Sequence, residues 1–373
     1  MLRRFRVVTP VLFASLVALP IGTVSHLVAS QRTAAHSVVL DGSLNSIACV
    51  SATACIAVGS ENAQAGGQTA RSLIDAWNGH TWSKKPGQAS ESLTSASCVS
   101  AGWCLVLGVH GSVPFARSLV AGAWKDLAFP KVGVGTGSEA SCVSPSWCVV
   151  TGLLTSGNGS YLEQWNGTSW QMGRFRVSAS TSVDLTGVSC ASRSMCLAVG
   201  SSGTSTARHP YSLTWNGATW TTAPVVAPWN ATALTGVSCV ATTTCFATGS
   251  KRQGTFSDRW SGHWSILAPM AKVAIYASFG AISCWSSRLC AAAGSNAYPR
   301  QPGNILADRW NGAAWTVAVN GGFLQGWLSS ADCVGPSVCF VVGWGTPEAG
   351  GLQSTSVIEA WNGTTWTLEP SPN

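Results

Sequence analysis

Fourteen cysteines form seven pairs of one spacing, each Cys followed by another six positions on: Cys49/Cys55, Cys98/Cys104, Cys142/Cys148, Cys190/Cys196, Cys239/Cys245, Cys284/Cys290 and Cys333/Cys339. Thiols that close in sequence can ligate a metal, exchange electrons or staple two strands. Zinc sites favour a tighter spacing, often completed by histidine, and the six histidines do not recur with the pairs. An even and regular set reads instead as a disulfide framework, formed and kept in an oxidising compartment. Seven local disulfides are therefore expected, with no metal and no cofactor.

Carboxylates are the other carriers of chemistry, and there are only fourteen. Asp75, Glu163, Asp258, Asp308 and Glu359 each stand one or two places before a tryptophan. Recurrence at five places points to a structural contact or a solvated face rather than to catalysis. Glu61, Glu91, Glu139, Asp184, Asp332 and Glu348 remain for a hydrolytic pair, which in glycoside hydrolysis needs two carboxyls about 5–10 Å apart.

These residues are carried on a repeat. Successive cysteine pairs are 44 to 49 residues apart, and a period of that length specifies an architecture before any element is assigned. The fourth copy is the clearest. Leu185 to Cys190 and Cys196 to Gly200 are short runs of apolar and β-branched residues, and Tyr211 to Trp215 and Thr219 to Ala223 flank Asn216-Gly217. Asn-Gly is a strong two-residue hairpin signal, because both residues accept positive φ. Each copy thus reads as a four-stranded antiparallel meander. Its cysteines stand at facing ends of the first two strands and mark the short-turn face. Thirteen of the nineteen tryptophans belong to the Trp-Asn-Gly-x-x-Trp pattern around the third turn, as expected of packing between neighbouring units. The fifth copy shortens the turn to Trp260-Ser-Gly-His-Trp264, and the second keeps only Trp124. Seven such units predict an all-β, seven-bladed β-propeller with one Cys-x5-Cys disulfide per blade. A solenoid would need polar capping repeats, and the terminal copies here look like the middle ones.

The unit resembles a kelch-type blade. Cys196-Leu-Ala-Val-Gly200-Ser201 stands where that family's glycine pair closes a strand, and Trp215 and Trp220 stand where its aromatic and Trp fall. The endings Gly217-Ala-Thr-Trp220 and Gly363-Thr-Thr-Trp366 are similar to the tail of an Asp-box, with Trp215 and Trp361 in place of its aspartate. The kelch resemblance implies relatives such as galactose-oxidase-like enzymes, whose copper site needs tyrosines, histidines and a crosslinked cysteine. The Asp-box resemblance implies sialidases, which need three arginines with a Tyr/Glu pair. The cysteines are taken up in pairs, four tyrosines remain, and Arg208, Arg252 and Arg300 lie in separate blade loops. Neither site can be assembled, so fold does not carry function here.

In a propeller meander the first and third turns share one face, and the second loop and the inter-blade connection share the other. The latter are expected to be longer and to carry recognition. Non-repeat aromatic and basic residues gather there, and Trp229, Trp327, Trp344, Tyr298, Arg300, Arg208 and His209 are the candidate ligand-binding set. Exposed Trp with few charges suits stacking on a sugar or anchoring a protein.

Arg3, Arg4 and Arg6 followed by an apolar run from Val7 to Val24 have the layout of a secretory signal peptide, with an uncleaved N-terminal anchor as the alternative. Residues 1–30 are assigned to that segment, 31–42 to a linker with a candidate ring-closing strand from His36 to Gly42, and 43–373 to the propeller. Removing residues 1–30 lowers the net charge from +7 to +4, and no basic cluster marks a nucleic-acid footprint. The expectation is a secreted or cell-envelope monomer that touches a membrane only through its N-terminal segment. It would bind glycan or extracellular protein; a glycan-acting hydrolase or lyase and a passive envelope protein are the rivals.

Overall fold

In the computed structural model every Cys-x5-Cys segment is a turn between two antiparallel strands, and the two cysteines are register partners. The structure describes residues 40–63, 70–120, 122–130, 135–154, 159–175, 182–204, 206–268, 270, 276–297, 303–318, 325–346 and 354–372. The N-terminal segment read as a signal peptide lies outside them. Seven sheets of four consecutive strands follow one another, each a simple meander. Blade 1 is Leu40–Ser51, Ala54–Ala63, Arg71–Trp77 and Trp82–Lys85; the first strands of blades 2 to 7 are Glu91–Ser100, Gly135–Ser144, Ser182–Ser192, Ala231–Ala241, Tyr276–Ser286 and Gln325–Gly335. First strands touch one another all the way round, blade 7 meeting blade 1, so they form the inner ring of a seven-bladed propeller.

All seven disulfides form: Cys49–Cys55, Cys98–Cys104, Cys142–Cys148, Cys190–Cys196, Cys239–Cys245, Cys284–Cys290 and Cys333–Cys339, with Cα atoms 3.9 to 4.0 Å apart. Their setting differs from that of staples on a turn face. The second cysteine of every pair (Cys55, Cys104, Cys148, Cys196, Cys245, Cys290 and Cys339) is 5% exposed or less. Each of these packs against apolar residues of the preceding blade. Cys104 meets the cluster of Ala48 and Ile56, Cys148 that of Leu105 and Leu107, and Cys245 that of Leu197 and Val199. Cys290 lies in the cluster of Phe246 and Cys339 in that of Leu289 and Ala291. The physical reason is strand alternation. The second strand is covered on both faces by neighbouring blades, so a side chain at its start enters an interface rather than solvent. The disulfides are thus part of the core through their second cysteines as well as staples between strands.

Each disulfide also begins a lateral row across its blade. In blade 1 the partners run Cys49, Cys55, Trp77, Trp82, and the same row recurs as Cys190, Cys196, Trp215, Trp220 in blade 4. The two indoles of a row lie 5.3 to 5.7 Å apart wherever both are present, a separation suited to tilted aromatic pairs. In blade 2, Leu119 takes the first indole's place opposite Trp124. The first indole ties its third turn to the cysteine turn, as Trp77 Nε1 donates to the Ala52 carbonyl at 2.9 Å and Trp215 Nε1 to that of Arg193 at 2.9 Å. In blades 5 and 6 the second indole reaches the preceding blade: Trp264 Nε1 donates to Ser212 Oγ at 2.8 Å and Trp315 Nε1 to Ser257 Oγ at 2.9 Å.

The third turn differs from the two-residue hairpin expected. Trp215 pairs with Trp220, so four residues form the loop, and only the glycine takes positive φ (95° at Gly217). The Asn216 carboxamide explains this. Its Oδ1 accepts from the amides of Ala218 and Thr219 at 3.0 and 2.9 Å, an Asx-type closure that leaves Asn itself in ordinary backbone. The strands also run longer than their apolar cores: the second strand of blade 4 is Met195–Gly203, past the apolar stretch ending at Gly200.

The five recurrent acids are all buried, so the solvated-face alternative does not hold. Each sits on the third strand two residues before the first Trp of its row, facing the blade interface with it.

Among the described residues each sheet is built from four consecutive strands. Leu40–Gly42 extend the innermost strand of blade 1 by pairing with Glu61–Ala63, and Gly42 N also donates to Ser354 O, just before the third strand of blade 7, at 3.3 Å. His36 to Val39 of the candidate ring-closing strand lie outside the described residues. Closure rests on a hydrogen-bond ring. The side chain just before the first cysteine of one blade accepts the amide of the first cysteine in the next: Ser97 from Cys142, Ser141 from Cys190, Ser189 from Cys239, Ser238 from Cys284 and Ser283 from Cys333, each at 3.0 Å. At the closing interface Asp332 takes the serine's role, accepting from Cys49 N at 2.7 Å, and Ser330 Oγ accepts from Ile47 N at 3.2 Å. Blade 1 carries Ala48 at this position and so makes no such bond to blade 2.

Candidate functional site

On the face opposite the cysteine turns, blades 4 and 5 carry shorter loops than expected. In blades 4 and 5 the second and third strands are joined by tight turns, with Thr204 N donating to Ala207 O at 3.1 Å and Lys251 N to Gly254 O at 3.0 Å. Positive φ at Gly254, 92°, is what such a tight return requires. Side chains in this sector are therefore presented on short, well-held turns.

Three turns converge between blades 4 and 5. The inter-blade connection ends in a turn closed by Ala231 N donating to Pro228 O at 2.9 Å, which places Trp229 and Asn230 at its corners. The indole is thereby thrown outward and is 96% exposed. Arg252 N donates to Asn230 O at 3.2 Å, fastening this turn to that of blade 5. The third strand of blade 4 starts with Arg208 and His209. Together these residues line an open cleft of about 420 Å³, with Thr206, Ala207, Ala231 and Thr232 completing its walls. Thr232 Oγ1 is spent on Ser250 O at 3.2 Å, which stiffens the floor.

The cleft is cationic. Arg208 forms an ion pair with Asp184 and donates from Nε and Nη2 to Ser201 Oγ at 3.1 and 2.8 Å. That pairing fixes one guanidinium in place. His209 and Arg252 are exposed and face no carboxylate among the described residues.

The candidate ligand-binding residues thus separate into groups. Trp229, Arg208 and His209 share this cleft, joined by Arg252. Trp327 and Trp344 stand directly opposite each other on the first two strands of blade 7. Trp344 is 36% exposed, while Trp327 is half-buried and lies over Gly280 of blade 6, where an added Cβ would meet the indole at 3.3 Å. Tyr298 and Arg300 lie outside the described residues. Arg252 had no repeat to mark it; its signal was its place beside Lys251 in a loop on the same face.

Each described carboxylate considered for a hydrolytic pair is engaged structurally. Glu61 pairs with Lys84 at 2.5 Å, Glu91 with Arg117 at 2.8 Å, Asp184 with Arg208, and Glu139 Oε2 accepts from Val188 N at 3.2 Å. Burial pushes Glu139 up to about 8 and Asp332 to about 6, the latter against hydrogen bonds from Cys49, Ser283 and Cys333. Glu348 lies outside the described residues. Among the described residues no three His, Cys, Asp or Glu side chains converge on a metal position. A second pocket, near Glu91 and Arg117, is only about 30 Å³, room for a water.

No family model matches the chain, and no curated protein does. Solved structures are similar in fold. YCF48 bound to D1 peptide superposes with a TM-score of 0.55 at 11% identity, covering 86% of this chain and 94% of that one. YCF48 from Cyanidioschyzon merolae gives 0.53 at 14% identity, over 82% and 94%. The β-propeller domain of the Trilobed protease from Pyrococcus furiosus, described as having an open velcro topology, gives 0.57 at 9% identity, over 89% and 99%. At such identities the likeness is one of fold alone: this chain is a seven-bladed β-propeller whose neighbours serve varied roles.

Proposed function

We propose that this protein is an extracytoplasmic binding module that takes an extracellular protein segment, or a glycan, at the cleft between blades 4 and 5. The observation that carries this reading is the convergence of Trp229, Arg208, His209 and Arg252 on one open cleft built from tightly held turns. A fully exposed indole costs solvation unless it has a partner, and cations beside it add direction to its stacking. Seven disulfides suit an oxidising compartment outside the cytoplasm, consistent with a secreted protein. A similar structure, YCF48, was solved with a bound peptide, which supports a protein ligand on this fold. One chain supplies all seven blades, which supports the reading of a monomer.

The test is a screen of the secreted protein against peptide and polysaccharide arrays, run beside Trp229→Ala/Arg252→Ala. Both positions are exposed, so the variant is expected to melt with the wild type and to lose the hits. Hits kept in full by the variant would remove the cleft from the reading. Loss on Trp327→Ala/Trp344→Ala instead would move the site to blade 7.

A further inference from the structure

Resting on the binding reading above, we infer that the cleft selects a carboxylate-bearing peptide, with the acid seated on Arg252 and His209 and an apolar side chain laid on Trp229. Donors and acceptors decide the ligand class. A hydroxyl-rich neutral saccharide offers as many donors as acceptors and is usually held by carboxylate or amide oxygens as well as by cations. The cleft is rich in donors, namely two guanidinium groups and an imidazole. No carboxylate lines it among the described residues, and Asp184 is taken up by Arg208. Thr232 spends its hydroxyl on Ser250 O. What the cleft has in excess is positive charge, and the guanidinium fork of Arg252 matches a carboxylate in two-point geometry.

Aromatic content decides between acidic ligands. An extended acidic glycan is gripped by several rings in succession, whereas among the described residues Trp229 is the one indole or phenyl ring lining this cleft. One stacking surface beside cations fits a short peptide carrying an apolar or aromatic residue near an acidic one. The Arg208–Asp184 pair is a positioning element: it holds the end of the blade 4 strand, from which His209 projects.

The experiment uses the full propeller and two fluorescein-labelled nonapeptide pools of Ala, Ser, Leu and Tyr, one with two Glu and the other with Gln in their place. An oligogalacturonate of similar length supplies the acidic sugar. The Glu pool is expected to bind about tenfold or more tighter than the Gln pool and to weaken several-fold as salt rises through the screening range. Arg252→Glu should abolish that preference, Arg252→Lys should retain part of it, and Trp229→Ala should weaken both pools. Equal binding of the two pools, lost on Trp229→Ala, would overturn the acid selectivity and leave the binding site standing. Arg252-dependent binding of oligogalacturonate in place of the peptides would overturn the peptide assignment. No binding by any probe would overturn the inference and the cleft reading together.

Discussion

At the residue scale, the recurrent acids show how repetition misleads about chemistry. Their spacing before tryptophan is plain in the sequence, but nothing there says which way the side chain points, and the structure buries all five. Burial pushes Asp258 and Asp308 up to about 7, and no described group donates to either carboxyl oxygen. The consequence for stability has a definite sign. Unfolded aspartate titrates near pH 4, so between about pH 4 and 7 the folded chain holds protons that the unfolded chain has released. Stability is greatest on the acid side and declines as pH rises through 7. Asp258→Asn/Asp308→Asn should flatten this decline, raising stability at pH 8 by on the order of 2 kcal/mol per site with little change at pH 4. Thermal melts across that range decide it; a wild type more stable at pH 8 than at pH 5 would refute the sign.

At the element scale, the lateral row of disulfide and paired indoles explains why cysteine and tryptophan recur in phase. One end of each blade is closed covalently, and in blades 1, 3, 4 and 6 the adjoining turn is fastened to it through the first indole. Cys239→Ala/Cys245→Ala should cost about 2 kcal/mol or more, the loop-closure share of a short disulfide plus the packing lost where Cys245 is buried, and leave the propeller folded. Asn216→Ala should cost about 1 kcal/mol by leaving two turn amides without their acceptor. Denaturant melts read both, and a cost near zero for the cysteine pair would mean that the row is held by its indoles alone. The disulfides, the blades and the side on which their turns lie were all legible in the spacing. The burial of Cys104, Cys148, Cys245, Cys290 and Cys339 was not, because it is the preceding blade that covers them. The turn type was hidden too, because Asn-Gly serves both a two-residue hairpin and a four-residue loop closed by the Asn side chain. Nor was the shortness of the opposite loops in blades 4 and 5 visible, since the strands continue beyond their apolar residues into Ser, Gly and Arg.

At the scale of the whole molecule, the interesting interface is the one the chain does not connect. Every other pair of adjacent blades is joined by covalent backbone, whereas blades 7 and 1 are held by packing and hydrogen bonds, among them Gly42 N donating to Ser354 O at 3.3 Å. There Asp332 substitutes for the serine found at five other interfaces, and an ionised acceptor makes the stronger hydrogen bond. The Ser-Cys dipeptide was visible in the sequence, as was its replacement by Asp332-Cys333; its reach into the next blade was not, because that contact spans 283 residues. Asp332→Ala should expose the amides of the first strand of blade 1 to hydrogen exchange, with a cost of about 1–3 kcal/mol for the stranded Cys49 amide. Ser189→Ala, at a covalently connected interface, should lose similar stability without that local opening. Identical exchange patterns in the two variants would deny Asp332 a closing role.

On the proposed binding reading, this disulfide-stapled ring presents its ligand site on the face away from the cysteine turns, between blades 4 and 5. The most direct test is a hydrogen-exchange footprint of the protein with a ligand captured from the arrays. Protection is predicted over the turns around Thr206–His209, Pro228–Thr232 and Lys251–Gly254, with the cysteine turns unchanged. Protection confined to the cysteine turns, or to blade 7 around Trp327 and Trp344, would contradict it.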